Sequence, residues 1–269
     1  MAHRGKKIKP KINHLRKRQN ILKMPVFWIV LGIFILVTGV GYGLFFYEKF
    51  QVKNIEISGN AKIKSEDIKG IVLTSIEKKI ISSKLIKIAS KSIFISSKHK
   101  IVENILREFS DIQKVSVNKD MPDTMRLQIT ERQPLAIFCQ NKDCFFIDDE
   151  GIIFNLEENN LETMTVFRKQ SSQEVQLGEK VVDENIIDIF SKVQKSLREN
   201  FEIDIREMII ANPLIFKTSE NFDIYFDSEK DVDLQITKMN ALLKNEIPEN
   251  DRKNLDYIYL QYKDRAYYK

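Results

Sequence analysis

Two cysteines and three histidines are all that this 269-residue sequence offers of the side chains that most often bind metals or act as nucleophiles. Cys139 and Cys144 fall in two apolar runs that read as a hairpin around the four-residue loop Gln140 to Asp143. Facing positions in such a hairpin lie close enough to be bridged, so a local disulfide and a pair of reduced core thiols both fit. A metal site does not, because two ligands are too few and no His lies near. His99 is the only His beyond the first 24 residues and sits between Lys98 and Lys100, where the plain reading is a solvated side chain. A Ser-His-Asp or Cys-His site would have to use it, and nothing around it suggests a buried, oriented base. Asp148-Asp149-Glu150 stands just before Gly151, so turn formation accounts for these acids. No Gly-rich phosphate loop is present, nor the Cys context of sortase-like or L,D-transpeptidase-like enzymes. The expectation is a protein that works by contact, with no enzymatic activity, no cofactor and no metal.

The elements that would hold such a contact surface start with a charge division. Composition is ordinarily globular, with 43% hydrophobic and 30% charged residues, which argues against wholesale disorder. The net charge of +5 is not evenly spread: residues 1–24 carry nine Lys or Arg and no acid, leaving 34 basic against 38 acidic side chains in the remainder. A basic tail on a mildly acidic body weakens any case for nucleic-acid binding from overall charge. Between the two lies Pro25 to Tyr47, 23 residues without a charged side chain. At about 1.5 Å per residue it spans roughly 34 Å, enough to cross a bilayer core. Its length exceeds a signal-peptide apolar region, and no A-x-A-like cleavage site follows. Residues 25–47 are expected as a transmembrane helix, with Trp28 at one headgroup level and Tyr42 and Tyr47 at the other. The excess of basic residues before the helix puts the tail of residues 1–24 in the cytoplasm and everything from Glu48 onward outside it.

Outside the membrane the patterning divides in two. Val52 to Ser58 alternates as a strand and ends at the turn Gly59-Asn60. Ser65 is placed to cap a helix carrying Glu66 and Asp67 in its first turn. Ile101, Ile105, Leu106 and Phe109 share one face of a second helix, and strands follow at Ile112 to Val117 and Met125 to Thr130 around the turn Asp120 to Asp123. The expected order is β-α-α-β-β, a three-stranded sheet with both helices on one face. Residues 74–100, with seven Lys, seven Ser and the single acid Glu77, read as an extension of the first helix and a solvated connector. The alternative is a basic amphipathic segment on the outer membrane face. After Pro134 come hairpins, a helix near Asp183 to Asn200, strands at Ile203 to Ile210, Leu214 to Lys217 and Phe222 to Phe226, and a helix capped by Asp231. A single Tyr-rich strand, Leu255 to Tyr268, closes this mixed α+β, β-rich part. The overall fold class is therefore α+β behind one apolar helix.

These features in this order resemble the FtsQ/DivIB family of bacterial cell-division proteins. The resemblance rests on Val52-Lys-Asn-Ile-Glu-Ile-Ser-Gly-Asn60, on Met121-Pro-Asp-Thr-Met-Arg-Leu-Gln-Ile-Thr-Glu-Arg-Gln-Pro-Leu-Ala136, on Phe146-Ile-Asp-Asp-Glu-Gly-Ile-Ile-Phe154, and on the closing strand. The second is the most specific, since Glu131, Arg132, Pro134 and Ala136 match a family pattern Glu-Arg-x-Pro-x-Ala. Near the end the family favours Asp-Leu-Arg followed by Tyr or Phe; Tyr259-Leu-Gln-Tyr262 departs from it, with Gln261 where the family has Arg. The resemblance implies a POTRA domain at residues 50–132, a β domain at 133–269, and a non-enzymatic scaffold of the divisome. It also implies a place in the cytoplasmic membrane at the division septum. The implied partners are FtsB/DivIC-like and FtsL-like proteins, a partner strand adding at Tyr262, Lys263, Asp264, Arg265, Ala266 and Tyr267. Other divisome proteins would meet the POTRA domain and the transmembrane helix. The competing readings are a POTRA-containing protein of a translocation or envelope assembly pathway and a membrane-anchored envelope enzyme.

Overall fold

The computed structural model describes residues 24–82, 87–156, 164–170, 174–263 and 265–269. The basic tail of residues 1–24 therefore lies, Met24 apart, outside the described residues. Helix α1, Pro25–Phe46, starts with Pro at its first turn, where a missing N–H costs nothing, and has no buried residue. Among the described residues it is the one helix long and apolar enough to cross a membrane.

The first core follows from strict alternation. Strand β1, Asn54–Ser58, is followed by α2, Ser65–Ile76, the hairpin β2, Lys78–Ser82, and β3, Lys87–Ser90, then α3, Lys98–Glu108, and strands β4, Ile112–Asp120, and β5, Thr124–Glu131. The sheet order is β1-β5-β4, with β1 parallel and β4 antiparallel to β5. A parallel neighbour requires a crossover, which the two helices supply. Every second residue of β5 is buried, Met125, Leu127 and Ile129 facing Ile68, Val72 and Ile76 of α2 and Ile101 and Ile105 of α3. Both helices thus cover one face. Leu106, expected on that face, is exposed, and Phe109 packs from just beyond the helix.

Three local details differ from expectation. Lys64, not Ser65, occupies the cap position of α2 and makes no side-chain cap; the Ser65 hydroxyl instead accepts from Asn60 Nδ2 at 3.0 Å. The first helix stops at Ile76, and Lys78–Ser82 pairs antiparallel with Lys87–Ser90 as the β2–β3 hairpin. The β-branched residues of this stretch, Ile80, Ile81 and Ile88, favour the extended chain once the helix has ended. In the hairpin of Ala136–Gln140 with Asp143–Ile147 the loop is two residues long, because Asn141 adopts φ 57° and lets Gln140 pair with Asp143.

The second core is built on a nine-stranded sheet of order β14-β13-β12-β11-β10-β9-β6-β7-β8. Its strands in chain order are β6, Ala136–Gln140, β7, Asp143–Ile147, β8, Ile153–Leu156, β9, Val166–Arg168, β10, Ile205–Ile209, β11, Leu214–Thr218, β12, Asp223–Phe226, β13, Tyr257–Tyr259, and β14, Tyr267–Tyr268. The helices are α4, Glu184–Phe201, α5, Val232–Asn245, and the single turn α6, Glu249–Arg252. Helix α4 lays Ile189, Phe190, Val193 and Leu197 on the sheet, with Phe190 edge-on to Phe167 at 4.7 Å. Asp231 caps α5 as expected, accepting from Leu234 N–H at 2.9 Å. Two parallel joins, β9 to β10 and β12 to β13, are crossed by α4 and α5.

Four residues separate β5 from β6, and two of the family-pattern side chains organise that joint. Glu131 reaches back to the β1–α2 turn and accepts backbone N–H bonds from Ala61, Lys62 and Ile63 at 2.7, 2.9 and 3.2 Å. Burial works to raise its pKa, but the three N–H donors and the Lys62 charge outweigh it and hold the carboxyl below the usual Glu range. Gly59 makes the turn possible at φ +85°, where a Cβ would lie 2.2 Å from Ile129 O. Arg132 points the other way. It donates to Ser110 O at 3.1 Å, to Glu150 at 3.2 Å, and closely to Asp148, whose side chain is only 1% exposed. Asp148 also accepts from Glu150 N–H and Ile152 N–H at 3.0 and 2.9 Å. The turn expected at Asp148-Asp149-Glu150 is there, and it doubles as a socket for Arg132.

Removing one partner of a buried pair leaves the other uncompensated, so Arg132→Leu should lower unfolding free energy by about 3–5 kcal/mol in detergent-solubilised protein. Arg126→Leu, which breaks half-exposed pairs with Glu56 and Asp120, should leave the denaturation midpoint nearly unchanged. The depressed Glu131 pKa contributes stability present above the ordinary Glu range and lost as pH falls through its folded value. Acid titration of the denaturation midpoint should therefore be shallower in Glu131→Gln than in the native chain between about pH 4.3 and 2.

Candidate partner-binding surface

The closing strand expected from Leu255 to Tyr268 is two short strands and a loop. Strand β13 ends at Tyr259, Leu260 still bonds Tyr225 O through its N–H at 3.0 Å, and β14 returns antiparallel with Tyr267 opposite Tyr259 and Tyr268 opposite Ile258. The charged Lys263 and Arg265 between the two strands are both exposed. What stabilises the loop lies in another element. Lys238 of α5 donates to Leu260 O at 2.8 Å and Tyr262 O at 2.6 Å, and Lys230 donates to Gln261 O at 2.9 Å. Two ammonium groups thus take the place of a neighbouring strand.

The residues assigned to partner binding sit together on this edge. Tyr262 and Tyr267 are 45% and 46% exposed and stack edge-on at 5.1 Å. Arg265 donates to the Tyr267 hydroxyl at 3.4 Å, and Ala266 turns inward against the core. Asp264 lies outside the described residues. Strand β14 is terminal in the sheet order and has β13 as its only strand neighbour among the described residues. A cleft of about 440 Å³ opens between the start of α5 and residues 260–263, with Leu234, Leu260 and Tyr262 as apolar lining and Lys230, Lys238 and Lys263 around them. Lys230, Leu234 and Lys238 were not legible as site residues. The carbonyls that the two lysines hold are 22 to 31 residues away in the chain.

On the sheet face away from α4 and α5, register aligns Tyr225 with Tyr259 and Tyr259 with Tyr267. Tyr225 and Tyr259 lie 4.4 Å apart, and Tyr257 and Tyr259 4.7 Å apart. Burial raises the Tyr225 pKa, with Asp223 and a hydrogen bond to Tyr259 acting in the same direction. Asp223 is itself pushed up by burial, against Lys217 and with Glu207. At the far end of this face Cys139 and Cys144 face each other in β6 and β7, Cα atoms 4.2 Å apart, joined by a disulfide and packed with Ile137 and Val166.

In a cleft of about 870 Å³ between α4 and β10, Gln194 and Arg198 both donate to Asp204. His99 is exposed in the first turn of α3. Among the described residues no group of three or more His, Cys, Asp or Glu could hold a metal ion.

The molecule is thus an α+β protein with one candidate membrane span ahead of two cores, the second ending in an open, Tyr-lined sheet edge. No family model matches the chain. It is 26% identical over 262 residues to the cell division protein DivIB of Clostridium botulinum strain Loch Maree, covering 91% of this chain and 90% of that protein. The DivIB of Clostridium botulinum strain Hall is 25% identical over 255 residues, again 91% and 90%. That of Clostridium acetobutylicum is 29% identical over 110 residues, 41% of this chain and 39% of that one. This similarity over about nine-tenths of the chain supports the FtsQ/DivIB resemblance and a role in cell division.

Loss of the Lys238 ammonium should release the loop without unfolding the domain. Lys238→Met is expected to speed amide hydrogen exchange across residues 260–268 about tenfold or more, leaving α4 amides unchanged; equal rates in the loop would show that Lys238 does not hold it.

Proposed function

We propose that the chain is a bitopic, non-enzymatic scaffold of the divisome that acts through β-strand addition. In this reading α1 spans the cytoplasmic membrane with the basic tail inside. Residues 50–132 form a POTRA domain, residues 133–269 form a β domain outside the cytoplasm, and the protein gathers at the division septum. An FtsB/DivIC-like chain, itself paired with an FtsL-like one, lays a strand along β14. Tyr262, Lys263, Arg265 and Tyr267 contact its side chains, and Asp264 and Ala266 complete the set. POTRA and transmembrane contacts serve other divisome members, and the outcome is recruitment or regulation of septal peptidoglycan synthesis. The Cys139–Cys144 bond suits an oxidising compartment and would brace the β6–β7 hairpin.

The observation that carries this reading is the open edge at β14, a two-residue strand with one strand neighbour among the described residues, flanked by exposed aromatic rings. Strand addition uses such edges, and Tyr is among the residues that dominate binding energy. Tyr262→Glu should weaken binding to the FtsB/DivIC-like partner by about thirtyfold or more, and Ala266→Lys should do the same with the far-ultraviolet spectrum retained. Native affinity in both variants would overturn strand addition at this edge. An amino-terminal fluorescent fusion should collect at the septum, and a uniform envelope signal would count against the divisome reading.

A further inference from the structure

Little slack separates α1 from the first core. A helix leaves its last carbonyls without intrahelical donors, and at a membrane surface these must find partners. Tyr47 N–H takes Gly43 O at 2.9 Å. The next two carbonyls are met by side chains from beyond the helix: Ser92 Oγ donates to Leu44 O at 2.7 Å, while Gln51 Nε2, at 2.9 Å, and Ser90 Oγ both donate to Phe45 O. Ser90 and Ser92 are 3% and 0% exposed, so neither hydroxyl can trade its helix carbonyl for water without opening the structure around it.

The backbone repeats the connection. Tyr47 is followed by a single 3-10 turn, Glu48–Phe50, and Gln51 then bridges to Ser92. Ile93 N–H donates to Phe50 O at 2.8 Å and Val52 N–H to Lys91 O at 3.1 Å. Gln51 works in both directions, since its Oε1 accepts from Lys91 N–H at 2.9 Å while its Nε2 holds Phe45 O. Val52 and Ile93, next in the chain after the bridged pair, are buried in the cluster that contains Ile68 and Ile101. A flexible linker needs a run of residues bonded to neither body, and residues 47–52 do not supply one.

We propose that α1 and the first core form one rigid body, coupled through Gln51, Ser90 and Ser92, so that a tilt or rotation imposed on α1 within the bilayer turns α2, α3 and their sheet with it. The proposal rests on α1 spanning the bilayer. It makes the span a lever as well as an anchor: a neighbouring membrane helix that reorients α1 also reorients the surfaces of the first core.

The test is a distance measurement by pulsed electron spin resonance on the full chain in phospholipid nanodiscs. Val40 of α1 and Glu103 of α3, both exposed, are each replaced by p-acetylphenylalanine carrying a ketone-directed spin label, which leaves the Cys139–Cys144 bond untouched. The variant Gln51→Ala/Ser90→Ala/Ser92→Ala with Gly-Gly-Ser inserted between Tyr47 and Glu48 sets the width of an uncoupled pair, a spread of roughly 10 Å from three flexible residues. The native chain should give one distance distribution at most about half that wide, and the triple variant without the insertion should about double the native width. A native distribution as wide as the uncoupled reference overturns the coupling. A triple variant no wider than the native chain overturns its assignment to these three side chains. Should the triple variant lose amide protection in β5, Gln51→Ala alone, which leaves both serines in place, decides the assignment by the same comparison. Relaxation of the label at position 40 reports the span separately: oxygen should reach it and a water-soluble nickel chelate should not, and the reverse overturns the span and the proposal together.

Discussion

The buried contact of Arg132 with Asp148 is the constraint on which the arrangement of the two cores depends. A guanidinium 9% exposed and a carboxylate 1% exposed are costly to take from water unless every partner is in place. Here Arg132 is met by Ser110 O, Asp148 and Glu150, and Asp148 in turn by two backbone N–H groups. Those partners come from both sides of the joint: Ser110 precedes the first sheet's β4, whereas Asp148 and Glu150 stand in the turn between β7 and β8. Gly151 completes the socket at φ +80°, where a Cβ would lie 2.0 Å from Val182 O. Gln113 adds a bond to Asp149 at 3.1 Å. With only four residues between β5 and β6, the two sheets are held by chemistry at the joint rather than hung on a linker.

Glu131 and Arg132 are neighbours with opposite assignments, and strand geometry explains it. Successive side chains on an extended chain point to opposite faces, so one turns back to the β1–α2 turn and the other forward to the second core. The pattern that carries the family resemblance is thus a joint, not a binding motif. Its bonds reach the β1–α2 turn on one side and the β7–β8 turn on the other.

Much of this architecture was legible because long periodic runs report burial directly. The alternation of β4 and β5, the stripe on α4 and the Asp231 cap each express one local rule. What stayed hidden depends on residues distant in the chain. Strand β9 has three residues, too few for a period, and exists because β6 and β10 flank it. The hairpin inside the connector was masked by a Lys and Ser composition that suits solvated loops equally well. The fold-back at residues 260–268 could not be read from its Tyr-rich alternation, since it is set by Lys230 and Lys238 in and before α5. The joint illustrates the same limit: Glu131 and Arg132 were recognisable as a pattern, but their partners lie as far as 70 residues away.

The two ends of the large sheet are finished differently, and that difference bears on how a partner would be chosen. At β8 the edge is bent by Asn155 at φ 67°, a device that discourages pairing. At β14 the strand is short and flanked by Lys263, Arg265 and Lys269, which limits self-association by charge but leaves the rings of Tyr262 and Tyr267 exposed. A two-residue strand presents few backbone groups, so main-chain bonds alone would bind any extended peptide weakly. On the proposed reading, discrimination must therefore come from side chains, with apolar partner residues entering the cleft beside Leu234 and Leu260 and acidic ones meeting the lysines around it. Because Lys230 and Lys238 already donate to loop carbonyls, an acidic partner residue there would compete with the bonds that shape the edge. Binding and the conformation of residues 260–266 are in that case one coupled equilibrium, and a partner strand would settle the loop it docks against.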